Sequence, residues 1–211
     1  MVKCVVFDFD GTLVESNEIK REAFYEVTRN LVDADIVLDK ILSSLDCGDR
    51  YEIFDKVIIE LELYRKVSIS AEEMSSSYTK ICEYKISRAL EVKGAVKTIK
   101  DLKSLGVKVF ISSATPEITL RKIIGMRGWK KMIDMVLGSP DSKTDHLRTI
   151  QIENKYSMSD VVYVGDSEID SEAAISAGCR FIAIGKDWSR FNTKPSTLLC
   201  TLENLITELK L

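Results

Sequence analysis

The chain has 211 residues, of which 45% are apolar and 30% charged, and a formal net charge of −3. That length and balance suit one α/β domain with a sizeable insertion, or a core domain plus a small second one, and exclude a disordered chain. No basic field is available for nucleic acid or an anionic membrane surface, and no apolar run is long enough to span a bilayer.

In chain order, the first element expected is a short buried strand over residues 2–9, β-branched and aromatic, closed by the turn Asp10-Gly11. Similar runs recur at 107–111, 133–137, 161–164 and 180–184, with a weaker one at 198–200. Helical periodicity fills most of the later gaps, over 94–105, 116–127, 144–155 and 167–178, and a terminal helix is expected over 202–210. Strand alternating with helix predicts a doubly wound, Rossmann-like parallel sheet. Its ligand site is expected beyond the carboxyl ends of the strands.

Between the first two strands, no strand is evident, yet apolar stripes repeat at helical spacing. Ile19, Ala23, Phe24, Val27 and Leu31 form one, Ile53, Phe54, Val57, Ile58 and Leu61 another, and Met74, Tyr78, Ile81 and Cys82 a third; residues 36–45 supply a possible fourth. Helices in that number bury their own small core. The expected division is therefore an α/β core of 1–14 and 93–211, with a helical cap of 15–92.

Five scattered cysteines, none in a CxxC pair, argue for reduced, packed thiols rather than a disulfide framework or zinc site. The single histidine, His146, lies in a polar stretch and reads as a surface residue. Met1 leads straight into the first strand with no leader-like segment, so a cytoplasmic location is expected. The sequence does not set an oligomeric state.

The chemistry-bearing residues stand at strand ends: Asp8 and Asp10 after the first, Ser112 and Ser113 at the second, Lys143 after the third, Asp166 and Asp170 after the fourth. A parallel sheet brings such positions to one edge. Three crowded carboxylates call for a hard cation, and oxygen ligands suit Mg2+. Metal, lysine and hydroxyl together suit a phosphoryl group, which a free carboxylate can accept while a second carboxylate handles protons.

These motifs, DFDGTL from Asp8 to Leu13, the strand running into Ser112, Lys143, and GDSEID ending at Asp170, resemble the four ordered motifs of the haloacid dehalogenase superfamily. The match is to its phosphatases with a helical cap after the first strand, a branch that includes phosphoglycolate phosphatase and β-phosphoglucomutase relatives. The resemblance implies Asp8 as nucleophile and metal ligand, and Asp10 as general acid/base binding the metal through its backbone carbonyl. It implies Ser112 as phosphoryl donor, Lys143 as neutralising charge, Asp166 as direct Mg2+ ligand and Asp170 acting through water or from outside the ligand set. A carboxylate at Asp10 disfavours halide removal. Ser113 stands where asparagine is frequent, and Thr144 where proline follows the lysine. Arg50, in Asp46-Cys47-Gly48-Asp49-Arg50, resembles a cap residue touching the non-reacting part of a substrate; an exposed arginine at a helix start is the alternative. Trp188 and Arg190 follow the fifth strand and are candidates for the rim.

The expected function is Mg2+-dependent hydrolysis of a small phosphorylated metabolite through an aspartyl-phosphate. A phosphomutase using the same residues is the close alternative. A receiver-like phosphorylation switch and a silent binding protein come from other classes. The identity of the ester is not readable from these residues.

Overall fold

The computed structural model describes residues 1–44, 48–61 and 69–211, and divides them into two compact units. The first comprises Met1–Ser16 and Ser87–Leu211, the second Asn17–Ile86.

The first unit is built on six parallel strands: β1 (Cys4–Phe7), β2 (Lys108–Pro116), β3 (Met135–Ser139), β4 (Val161–Gly165), β5 (Arg180–Ile184) and β6 (Leu198–Leu199). Their spatial order is β3-β2-β1-β4-β5-β6. The chain runs outward from β1 to one edge, then returns to β1's other side. That reversal beside β1 is a topological switch point, where open α/β sheets bind ligands. The doubly wound sheet expected from the sequence is the one observed.

Five helices accompany the sheet: α5 (Ala95–Ser104), α6 (Glu117–Met126), α7 (Lys143–Asn154), α8 (Glu168–Ala177) and α9 (Leu205–Leu209). Strand periodicity sorts side chains onto the two faces. Cys4 and Val6 of β1, Phe110 of β2, and Val161 and Tyr163 of β4 share a buried cluster with Leu147 and Ile150 of α7 and Ala173 and Ala174 of α8.

Differences from the sequence reading are small and local. β3 begins at Met135, two residues late, because the Asp134 carboxylate accepts a hydrogen bond from Val109 N (2.9 Å) and stands outside the ladder. β2 runs on to Pro116, which pairs with Ser139 across a register shift. The terminal helix begins as a 3₁₀ turn at Leu202–Asn204.

After β1 the chain turns through Gly11, held at φ 80°, where Gly11 N donates to Val14 O (2.8 Å). The outgoing and returning segments then pair: Val14 bridges Glu91 antiparallel, and Glu15 N donates to Leu90 O at 2.9 Å.

The second unit contains α1 (Asn17–Thr28), α2 (Ala34–Leu42), α3 (Arg50–Glu60) and α4 (Ala71–Ile86). Its core is aromatic. Phe24 of α1, Phe54 of α3 and Tyr78 of α4 meet with ring centroids 4.5 to 6.1 Å apart, distances at which aromatic pairs add to area burial. Ala23, Ile53, Val57, Ile58, Met74 and Cys82, all from the predicted stripes, are buried as well. Leu45, Asp46 and Cys47 lie outside the described residues. Among the described residues no helix is long and apolar enough to cross a membrane.

Candidate active site

The loops at the carboxyl ends of β1, β2 and β4 and the start of α7 bring the candidate residues together. Asp8 directly follows β1 and is fixed by its own backbone, Asp8 N donating to Val164 O of β4 at 2.9 Å. The residue is buried, at 4% exposure. Lys143 is the first residue of α7, set there by Ser142, whose hydroxyl caps the helix by accepting from Asp145 N. From that position the Lys143 ammonium reaches Asp8 Oδ1 at 2.7 Å and Asp170 Oδ1 at 2.5 Å.

Asp170 is fully buried and has two duties. Its Oδ2 accepts from Ser167 N (3.1 Å) and Ser167 Oγ (2.5 Å), closing a capping box at the start of α8, while Oδ1 receives Lys143. Both oxygens are therefore engaged by the protein. Asp166, at the end of β4 and 5% exposed, accepts from Arg190 Nη2 at 3.1 Å.

One oxygen from each of Asp8, Asp166 and Asp170 lies within 4.8 Å of the others. Burial, first of all, pushes the Asp8 carboxyl up to about 8; Lys143 pulls it down, and Asp170, Asp10 and Asp166 push it up again. Buried hard oxygens from three carboxylates, with an oxygen on Asp8 that Lys143 does not take, fit a divalent cation of the Mg2+ type.

Asp10 faces hydroxyls instead. Its Oδ1 accepts from Ser16 Oγ at 2.7 Å, and its Oδ2 accepts from Thr115 Oγ1 at 2.9 Å and, weakly, Ser113 Oγ at 3.4 Å. Thr115 and Ser16 were not singled out from the sequence. Ser16 is six residues past Asp10 and Thr115 two past Ser113; with the β1 turn assigned, both fall beside Asp10.

Ser112 requires a correction. It was expected to donate to a phosphoryl group, yet its hydroxyl is fully buried against His146 Nδ1 (2.9 Å) and Tyr163 Oη (3.3 Å). The reason is strand parity: Ser112 shares a face with Phe110, whose side chain belongs to the cluster under α7 and α8. Ser113, of opposite parity, is the serine beside Asp10. His146 is likewise corrected from surface to core, at 2% exposure. It falls on the buried side of α7 with Leu147 and Ile150, a spacing that its polar sequence neighbours concealed.

Arg50 opens α3 in the second unit. Its guanidinium lies over the Tyr51 ring, 4.8 Å from the centroid, and the helix start is a capping box between Asp49 and Glu52. Trp188 is stacked by Lys194 at 4.6 Å.

The family model for haloacid dehalogenase-like hydrolases matches residues 5–184. A phosphoglycolate phosphatase of Psychrobacter arcticus is 26% identical over 187 residues, covering 82% of this chain and 79% of its own. A phosphoglycolate phosphatase of Cereibacter sphaeroides is 25% identical over 181 residues, covering 84% and 82%. In fold, the chain is similar to CbbY from Rhodobacter sphaeroides, solved with phosphate, at a TM-score of 0.75 and 18% identity over the whole of both chains.

Proposed function

This chain belongs to the haloacid dehalogenase-like hydrolases, and from that premise we propose that it hydrolyses a small-molecule phosphate monoester, with Asp8 taking the phosphoryl group. The observation that carries the proposal is the buried Asp8 carboxylate, gripped on one oxygen by Lys143 and two residues from a hydroxyl-bound Asp10. Relatives named phosphoglycolate phosphatase support a small phosphorylated metabolite as the substrate class.

In this reading Asp8, Asp166 and the backbone carbonyl of Asp10 would hold Mg2+, with Asp170 supporting from outside the ligand set. The ion, when bound, supplies charge that offsets the carboxylates and the phosphoryl oxygens. The remaining chemistry belongs to the chain. The Asp8 carboxylate attacks phosphorus, forming an acyl phosphate as the ester bond breaks, and Asp10 in its acid form gives its proton to the departing oxygen. Asp10, now ionised, takes a proton from water. The resulting hydroxide attacks phosphorus and releases phosphate together with the Asp8 carboxylate.

Lys143 holds the Asp8 carboxylate oriented and counters the charge of the transferring group. Ser113, rather than Ser112, is the hydroxyl of the pair with access to the Asp10 side. Arg50 is proposed as a contact to the rest of the substrate.

The test is phosphate release from a panel of small phosphate esters with Mg2+ and with chelator. Release that depends on Mg2+ and vanishes in Asp8→Asn supports the proposal; full release by Asp8→Asn overturns it. Phosphorus NMR of the products separates hydrolysis, which gives free phosphate, from a mutase, which gives an isomeric ester.

A further inference from the structure

A buried histidine that no step above uses lies beneath the site, hydrogen-bonded into a polar chain that crosses the sheet. His146 Nε2 is 3.2 Å from Gly138 O of β3. A carbonyl oxygen only accepts, so Nε2 carries the ring proton. Burial lowers the His146 pKa below its ordinary value, against the opposing pull of the Gly138 carbonyl, so the ring is neutral and Nδ1 bears a free lone pair. The Ser112 hydroxyl, 2.9 Å away, must therefore donate to Nδ1. Its own lone pairs face the Tyr163 hydroxyl, at 3.3 Å from both Ser112 Oγ and Ser112 O. Proton directions are thus fixed along the chain: Tyr163 to Ser112, Ser112 to His146, His146 to Gly138.

This chain joins the site's supports. Tyr163 belongs to β4, two residues before Gly165 and the Asp166 loop; Ser112 precedes Ser113; and His146 lies one helical turn beyond Lys143. We propose that His146 is a positioning residue for the hydrolase reaction: by accepting from Ser112 and donating to Gly138, it pins the first turn of α7 to β2 and β3 and so sets where the Lys143 ammonium meets Asp8. The inference rests on the proposed phosphatase reading for its catalytic consequence but not for its geometry. A neutral ring at this point also adds no second positive charge to compete with Lys143 for Asp8. An apolar side chain of similar size would fill the space yet take away the acceptor of the Ser112 proton and the donor to the Gly138 carbonyl.

The experiment compares His146→Ala, His146→Asn and Ser112→Ala with the parent, using p-nitrophenyl phosphate and Mg2+ for turnover. The ¹⁵N signal of the Lys143 ammonium is followed in parallel. Small misplacements of a catalytic group cost up to about a hundredfold in rate. His146→Ala is expected to lower kcat by at least about tenfold with KM held, and to shift the Lys143 signal. His146→Asn, whose Oδ1 falls near the position of Nδ1, is expected to restore most of both. Ser112→Ala is expected to move both readouts in the same direction as His146→Ala, and it carries the test should His146→Ala not fold. Folded variants with parental kcat and an unmoved Lys143 signal overturn the inference, as does an asparagine variant no better than alanine. A parent without turnover sinks the phosphatase reading alone, because the Lys143 signal still decides the positioning role.

Discussion

The Lys143 ammonium stands 2.7 Å from Asp8 Oδ1, joining residues 135 positions apart in the chain, and its side chain is only 9% exposed. A charge so enclosed acts at nearly full strength and is costly to orphan. Lys143→Met keeps the length of the stem and deletes the charge. It is expected to reduce kcat by about 10²–10³, the range for removal of one preorganised electrostatic donor, with a smaller change in KM. Steady-state kinetics on a small phosphate ester checks this; near-parental kcat would contradict it.

The crowding around Asp8 also makes a stability prediction. Burial raises its folded carboxyl to about 8 from an ordinary 3.8, so the metal-free folded protein holds a proton that the unfolded chain gives up. That contribution is fully present below the ordinary value, drains as pH rises, and is gone above about 8. Asp8→Asn removes it from the balance. The variant should melt higher than the parent at pH 8 in chelator and differ little near pH 4, with Mg2+ narrowing the gap at high pH. Thermal melts at the two pH values decide, and an unchanged difference would count against a strained carboxylate.

Gly165 is where β4 passes closest to Asp170. A Cβ built there would come within 2.6 Å of Asp170 Oδ2, and Asp170 has no room to retreat, being fully buried and hydrogen-bonded at both oxygens. Gly165→Ala should displace the carboxylate that shares Lys143 with Asp8. It is expected to cost about 1–3 kcal/mol of stability through overpacking, along with a clear loss of kcat. Gly125→Ala in α6, where a Cβ meets nothing within 4 Å, serves as the control and should be neutral or slightly stabilising. Urea titrations and kinetics on both variants give the comparison.

Far from the site, Asp134 ties the β2–β3 edge together. It accepts from Lys103 at 2.6 Å, Lys108 at 3.1 Å and Val109 N at 2.9 Å. Burial raises its carboxyl, but Lys103, the Val109 amide and Lys108 together outweigh that and hold it below the ordinary range. Its contribution is therefore present above the ordinary carboxyl value and lost as pH falls through the lower folded one. Asp134→Asn should cost about 1 kcal/mol at neutral pH, a modest figure because both lysines are partly solvated. The deficit should shrink in acid, as read from urea midpoints at the two conditions.

Much of this architecture is legible in the letters, for reasons that also mark the limits. β1 and β4 read as uninterrupted apolar runs because strands buried on both faces need them. The stripes of Phe24, Phe54 and Tyr78 announce a helical unit because each helix has one face to bury. The site residues of β1, α7 and β4 follow from their strand-end positions. What escapes is orientation within a pair. Ser112 and Ser113 are the same letter, and only the parity of Phe110 tells which one points into the core. His146 is masked by Asp145 and Arg148, although its spacing to Ile150 places it on α7's inner side. The contact of Arg190 with Asp166 arises from a single 3₁₀ turn, Trp188–Arg190, too short for any period to be read.

The pairing of Val14 with Glu91 and of Glu15 with Leu90 gives the intervening seventy or so residues a single doorway, through which the chain departs and comes home. Lengthening such a detour twofold adds only about 0.6 kcal/mol of closure entropy, so the sheet's own fold is nearly indifferent to how many residues the chain spends between leaving and returning.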